Sequence, residues 1–296
     1  MPIATLIAGE RAPGGVISDI GDRLLANGCS PTGSEWLEPG KVVDIGFEGC
    51  VIAARAALVP LEVDFDIVVQ PAEGRRKMLL VSDMDSTMIT VECIDELADY
   101  AGIKPEIAAI TERAMTGELD FAEALKARVA LLAGLREDVI AQCLAERVRP
   151  MPGGEALVRT MSAWGAHTVL VSGGFTSFTG PVASMIGLAE VHANELEIKN
   201  GQLTGKLIGN IVDANTKQSV LEFAVASRSL NMKQAMAVGD GANDVPLIRS
   251  SVLGEGLGVA FHARPILIGA ANFSVRHGDL TALLYAQGIK RSDWAV

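Results

Sequence analysis

At 296 residues, 49% hydrophobic and 21% charged, the chain has the composition of an ordered globular protein with room for one large or two modest domains. Its formal net charge of −11 excludes a nucleic-acid surface, which needs a basic footprint. Any site for an anionic substrate must therefore be locally positive. Cys29, Cys50, Cys93 and Cys143 lie far apart with no Cys-x-x-Cys pair, so reduced thiols are expected rather than a disulfide framework or a zinc site. The first five residues lack a basic stretch followed by an apolar core, so no secretory signal is expected and the cytoplasm is the expected address.

Residues 1–72 read as a small α+β unit. Strands are predicted over 2–7, near 35–37, over 42–47 and over 65–69, with helices over 16–26 and 50–58. The order β-α-β-β-α-β is the split βαβ arrangement, and it resembles a degenerate amino-acid-binding module of the ACT type. We read the unit as a structural or homodimerising appendage, so a chain beginning near Arg75 should fold. A polar linker is expected from Pro71 to Lys77.

The apolar run Leu79-Leu80-Val81-Ser82 ends in Asp83-Met84-Asp85-Ser86-Thr87. It reads as a buried strand, and Asp83 and Asp85 would share one side of it. Two carboxylates at a strand tip suit a hard divalent cation such as Mg²⁺. From residue 92 to about 150 the period changes to helical, and Pro150-Met151-Pro152-Gly153 closes that segment. Residues 160–189 carry no Asp, Glu, Lys or Arg, but Gly165, Gly173, Gly174, Gly180 and Pro181 divide them. A strand, a glycine turn and a buried helix are expected there, not a membrane span.

Two further apolar runs end in polar motifs. Residues 167–171 lead into Ser172-Gly173-Gly174, and residues 235–238 lead into Gly239-Asp240-Gly241-Ala242-Asn243-Asp244. Asn200-Gly201 between two short runs is a strong hairpin signal. Lys217 opens an amphipathic helix, a position the helix dipole disfavours for a cation unless an anion lies nearby. Apolar runs at 266–268 and 273–275 and a helix over 279–286 complete an alternating pattern, which implies a parallel sheet.

The ordered set Asp-x-Asp-x-Thr, Ser-Gly, Lys, Gly-Asp-Gly-x-Asn-Asp resembles the haloacid dehalogenase superfamily of phosphatases and phosphotransferases, over about residues 75–290. With Glu92, Arg128 and Lys217 at their spacings, it is similar to the phosphoserine phosphatase family in particular. The resemblance implies a Rossmann-like core over 73–296 with a helical cap at about 92–150, and Mg²⁺-dependent hydrolysis of a small substrate, O-phosphoserine. It implies Asp83 as nucleophile and Asp85 as general acid and base, although spacing alone leaves open which aspartate attacks. Mg²⁺ would be held by Asp83, Asp240 and the backbone carbonyl of Asp85. Lys217, Ser172, Gly173 and Asn243 would contact the phosphoryl group, with Asp244 orienting the metal shell.

Arg128 lies three residues after Leu125 and four before Leu132, hence on an apolar helix face. Its implied role is a clamp on the substrate carboxylate, with Glu92 holding the ammonium and Met115 and Phe121 lining the apolar wall. The bland alternatives are a snorkelling arginine and an acid favoured near a helix start.

Overall fold

The computed structural model describes residues 1–115 and 118–295, Met115 through its place in a helix only. The first unit runs β1 (Pro2–Ala8), α1 (Val16–Ala26), β2 (Ser30–Glu38), β3 (Val42–Glu48), α2 (Val51–Leu58), a 3₁₀ turn (Val59–Val63) and β4 (Phe65–Pro71). Its strands form an antiparallel sheet in the order β2-β3-β1-β4. Strand alternation explains how both faces are used. Ala4, Leu6, Ile45, Phe47, Ile67 and Val69 face the two helices and pack with Ile20, Leu24, Ala54 and Leu58.

The other face is not solvated. Ile7, Leu37, Val42 and Val68 join the core of the rest of the chain. The polar side chains of that face are also buried, and they are paired. Asp44 accepts from Thr5 Oγ1 at 2.6 Å and from Arg75 Nη1 at 2.6 Å. Asp66 accepts the backbone N–H groups of Arg276 at 2.6 Å, His277 at 3.1 Å and Gly278 at 2.8 Å. Gln70 Nε2 donates to Ala286 O at 2.6 Å.

The expected polar linker is exposed at Pro71, Glu73, Gly74 and Arg76, but two of its basic side chains are buried. Arg75 is 9% exposed because its guanidinium pairs with Asp44. Lys77 is 5% exposed, donates to Gly74 O and Lys233 O, and has its pKa drawn down by burial to about 8. Removing residues 1–70 would strip Arg75 of a buried carboxylate and expose the apolar surface around Tyr285, Ala286 and Ile289. We expect such a chain to melt well below the full-length protein and to aggregate, contrary to the expectation for an appendage. Thermal unfolding of the two chains, with light scattering, checks this.

The second unit begins with β5 (Leu79–Ser82), then α3 (Cys93–Ala101), α4 (Lys104–Met115), α5 (Phe121–Leu131) and α6 (Asp138–Glu146). There follow α7 (Gly154–Ala163), β6 (His167–Phe175), α8 (Thr176–Ile186), β7 (Glu190–Lys199), β8 (Gln202–Ile208) and α9 (Ala214–Ser227). The last elements are β9 (Ala235–Gly239), α10 (Val245–Leu253), β10 (Leu257–Phe261), α11 (Pro265–Ile268), β11 (Phe273–Val275) and α12 (Ala282–Ala286). The sheet order is β11-β10-β9-β5-β6-β7-β8, parallel throughout except for the β7–β8 hairpin. Asn200 and Gly201 at its tip both have positive φ, 53° and 73°, as a tight hairpin turn requires.

Buried on both faces, β5 lies at the centre, with β9 on one side and β6 on the other. Connections leave it in opposite directions, which opens the crevice where such sheets bind ligands. Helices α3 to α6 leave the core immediately after β5. Their two chain crossings pair with each other: Thr90 N–H donates to Arg149 O and Met151 N–H to Met88 O. The uncharged stretch at 160–189 divides into the end of α7, β6 and α8, and among the described residues no helix is long and apolar enough to cross a membrane.

Candidate active site

The chain turns sharply at the tip of β5. Asp83 is 4% exposed, and its Oδ1 accepts from Met84 N at 2.8 Å and from Lys217 Nζ at 2.7 Å. Its Oδ2 has no hydrogen bond among the described residues. Lys217, in the first turn of α9, is 1% exposed and also reaches Asp244 Oδ1 at 2.8 Å. These two carboxylates are the anions that make a buried cation tolerable there. Asp244 Oδ2 accepts from Asp240 N and Gly241 N, both at 3.2 Å. A side chain at Gly239 would collide with the Asp244 carboxyl, since an added Cβ falls 2.4 Å from its Cγ. That glycine is required by close approach.

Carboxylate oxygens of Asp83, Asp240 and Asp244 all lie within 4.8 Å of one another. The buried Oδ1 of Asp85 has no hydrogen-bond partner. A set of hard oxygen donors with an orphaned carboxylate oxygen beside it fits a divalent cation of the Mg²⁺ type. Electrostatics agree. Burial and the neighbouring Asp244 raise the Asp83 pKa, against the pull of Lys217. Burial, Asp244 and Glu92 raise that of Asp240 to about 6. Burial, Glu92 and Asp83 push Asp85 well above the carboxylate range. Burial opposes the charge on Lys217, but Asp83 and Asp244 outweigh it and hold that pKa above the ordinary lysine value.

Ser172 and Gly173 lie beside this cluster at the end of β6. Ser172 Oγ accepts from Gly174 N at 2.8 Å, which leaves its proton free to donate. An added Cβ at Gly173 would fall 3.0 Å from Phe121 Cζ, so the first residue of α5 rests on the turn. Glu92 is the exposed N-cap residue of α3 and accepts from Ser86 Oγ at 2.7 Å. Arg128 is half-buried on α5, donates Nε to Ala124 O, and feels Asp95 and Glu92. Burial lowers its pKa and those acids raise it. Its terminal nitrogens have no partner among the described residues. Asn243 is half-buried in the 3₁₀ turn Ala242–Asp244. The side chain of Met115 lies outside the described residues.

A family model for haloacid dehalogenase-like hydrolases matches residues 80–249, which hold the whole cluster. The chain belongs to the haloacid dehalogenase-like hydrolases. Among relatives of this hydrolase, a phosphoserine phosphatase of Albidiferax ferrireducens is 46% identical over 211 residues, 70% of this chain and 87% of that one. A phosphoserine phosphatase of Streptomyces coelicolor is 42% identical over 242 residues, 82% of this chain but 57% of that longer one. The crystal structure of a probable phosphoserine phosphatase from Vibrio cholerae matches with a TM-score of 0.77 at 30% identity, covering 98% of this chain and 88% of that one.

Two residues of the site had no role assigned from sequence. Ser86 holds φ at 56°, a left-handed conformation unusual for a residue with a side chain, while its hydroxyl grips Glu92. Its only sequence signal was its place inside the aspartate motif. Cys93 is fully buried beside Asp85, whose charge helps to raise the thiol pKa. A lone cysteine at the start of a helix gave no signal at all.

Proposed function

We propose that this hydrolase cleaves O-phospho-L-serine to L-serine and phosphate through an aspartyl phosphate on Asp83, with Mg²⁺, as a step that supplies serine. The observation that supports this reading is electrostatic: Glu92 acts on Asp85 and Asp240, and Arg128 feels Glu92. Asp83, Lys217, Ser172 and Gly173 suit the phosphoryl group, while Glu92 and Arg128 suit the ammonium and the carboxylate. The phosphoserine phosphatases among the relatives support the same reading.

Asp83 Oδ1 is engaged by Lys217 and Met84, so Oδ2 is the oxygen that attacks phosphorus. The P–O bond to the serine oxygen breaks as the new one forms, and Asp85 donates its proton to that leaving oxygen. The raised Asp85 pKa favours the protonated form that a general acid needs. Asp85 then takes a proton from water as water attacks phosphorus, releasing phosphate and restoring Asp83. Lys217, the Ser172 hydroxyl and the Gly173 N–H stabilise charge on the phosphoryl oxygens. Asp83, Asp240 and the Asp85 backbone carbonyl would hold Mg²⁺, with Asp244 orienting the set; the bound ion supplies positive charge toward the phosphoryl oxygens.

Substrate identity is tested by comparing two substrates. Glu92→Gln and Arg128→Ala should lower kcat/KM for phosphoserine by about 10-fold or more, since a hydrogen bond to a charged group is worth roughly 1.5–3 kcal/mol. Slow turnover of p-nitrophenyl phosphate, which carries neither charged group, should change far less. An equal fall on both substrates would assign these residues to folding or cap closure and point to another small phosphorylated metabolite.

The metal assignment has a readout apart from activity. With metal chelated, folded Asp83 and Asp240 bind protons more tightly than the unfolded chain does. Their contribution to stability is therefore largest below their unfolded pKa values and is lost as pH rises from about 4 through 6 and beyond. Adding Mg²⁺ should raise the melting temperature, and by more at about pH 8 than at about pH 5. A rise of equal size at both values contradicts the site.

A further inference from the structure

We propose that Asn194, on β7, is the positioning residue that fixes the phosphoryl-binding turn relative to Lys217. This rests on the roles given above to Gly173 and Lys217. Between the paired residues Val171–His192 and Phe175–Asn194, β6 carries Ser172, Gly173 and Gly174 where β7 carries Ala193 alone. The strand bulges there, and bulges beside active sites re-aim backbone groups. The bulge abuts the site: an added Cβ at Gly174 would fall 3.4 Å from Asp85 Oδ2.

A bulge leaves ladder groups unpaired, and Asn194 supplies the missing partner. Its side chain is 1% exposed, and its Nδ2 donates to Gly173 O at 2.8 Å. Holding that carbonyl fixes the plane of the following peptide and the set of the turn as a whole. The other end of the same amide, Oδ1, accepts from Val212 N at 2.8 Å. The next residue, Asp213, caps α9 through Thr216 N at 2.8 Å, and its carbonyl accepts from Lys217 N at 3.0 Å. One buried amide thus spans the two segments that present the Ser172–Gly173 donors and the Lys217 ammonium. A side chain that only donates or only accepts cannot hold both.

The test compares wild type with Asn194→Asp, which keeps the shape and the acceptor for Val212 N–H but sets a carboxylate oxygen against the Gly173 carbonyl. The readouts are kcat/KM for phosphoserine and for p-nitrophenyl phosphate, inhibition by inorganic phosphate, and thermal unfolding. In a variant still folded at the assay temperature, kcat/KM should fall about 10- to 100-fold on both substrates alike, because a displaced donor set affects any phosphoryl group. Phosphate inhibition should weaken in parallel. If Asn194→Asp does not fold, Asn194→Ser is read the same way. Activity within about threefold of wild type on p-nitrophenyl phosphate, with unchanged phosphate inhibition, overturns the proposal. So does a loss confined to phosphoserine, which would place Asn194 with Glu92 and Arg128. A wild-type protein active on p-nitrophenyl phosphate but not on phosphoserine would sink the substrate reading, while Asn194 would still be judged on p-nitrophenyl phosphate.

Discussion

Asp83→Asn is expected to abolish turnover while leaving the protein folded. The amide has the shape of the carboxyl, and Lys217 keeps its second partner, Asp244, at 2.8 Å. Burial and Asp244 already disfavour charge on Asp83, so removing that charge relieves repulsion within the cluster. What the amide cannot do is attack phosphorus. Losing the nucleophile of a covalent mechanism costs about 10⁴–10⁶-fold in kcat in comparable enzymes. Asp85→Asn should also form no rapid turnover, but by the smaller factor of about 10²–10⁴ typical of general acid–base catalysis. The check is kcat with a circular-dichroism melt for each variant. Full activity in folded Asp83→Asn would overturn the mechanism.

Lys217→Ala is expected to damage stability and activity together. Its ammonium is the buried counter-charge for two nearly inaccessible carboxylates, so its removal leaves Asp83 and Asp244 uncompensated. Breaking a buried pair in this way typically costs about 3–5 kcal/mol. The deficit should shrink at acidic pH, where the abandoned Asp83 takes up a proton, and grow as pH rises and it ionises. Catalysis loses its transition-state cation, worth about 10²–10³-fold by analogy with single preorganised donors. Urea unfolding at acidic and at neutral pH separates the outcomes. A deficit independent of pH would mean that the lysine acts by packing alone.

The reading of the sequence succeeded where patterns were strong and local. Apolar runs at 79–82 and 235–238 became the strands β5 and β9, because parallel strands buried on both faces are continuously apolar. It fell short where a strand is polar or irregular. Only residues 35–37 of β2 were expected, since Ser30–Glu38 is an exposed edge containing Pro31 and Gly33. Ser172-Gly173-Gly174 read as a turn, yet β6 resumes its ladder at Phe175 beyond the bulge. The run at 266–268 was too short to show its period and forms the helical turn α11.

Long-range pairing was the least visible. Nothing local in Arg75 says that Asp44 waits across the sheet, so a buried ion pair read as a polar linker. For the same reason Asn194 carried no signal, because its meaning depends on a bulge in the neighbouring strand. The motifs that the fold brings together were legible because the aspartate, serine-glycine, lysine and glycine-aspartate stretches each stand at a strand or helix end. The sheet then gathers those ends into one crevice.

The most direct test of the account is chemical trapping of the covalent intermediate. Wild-type protein turning over phosphoserine with Mg²⁺ would be quenched in acid, reduced with borohydride and digested for peptide mass spectrometry. An acyl phosphate is reduced to an alcohol, so the account predicts homoserine at position 83, an unchanged Asp85, and no conversion when phosphoserine is omitted. Phosphate release with no converted aspartate, or conversion at Asp85 instead, would contradict it.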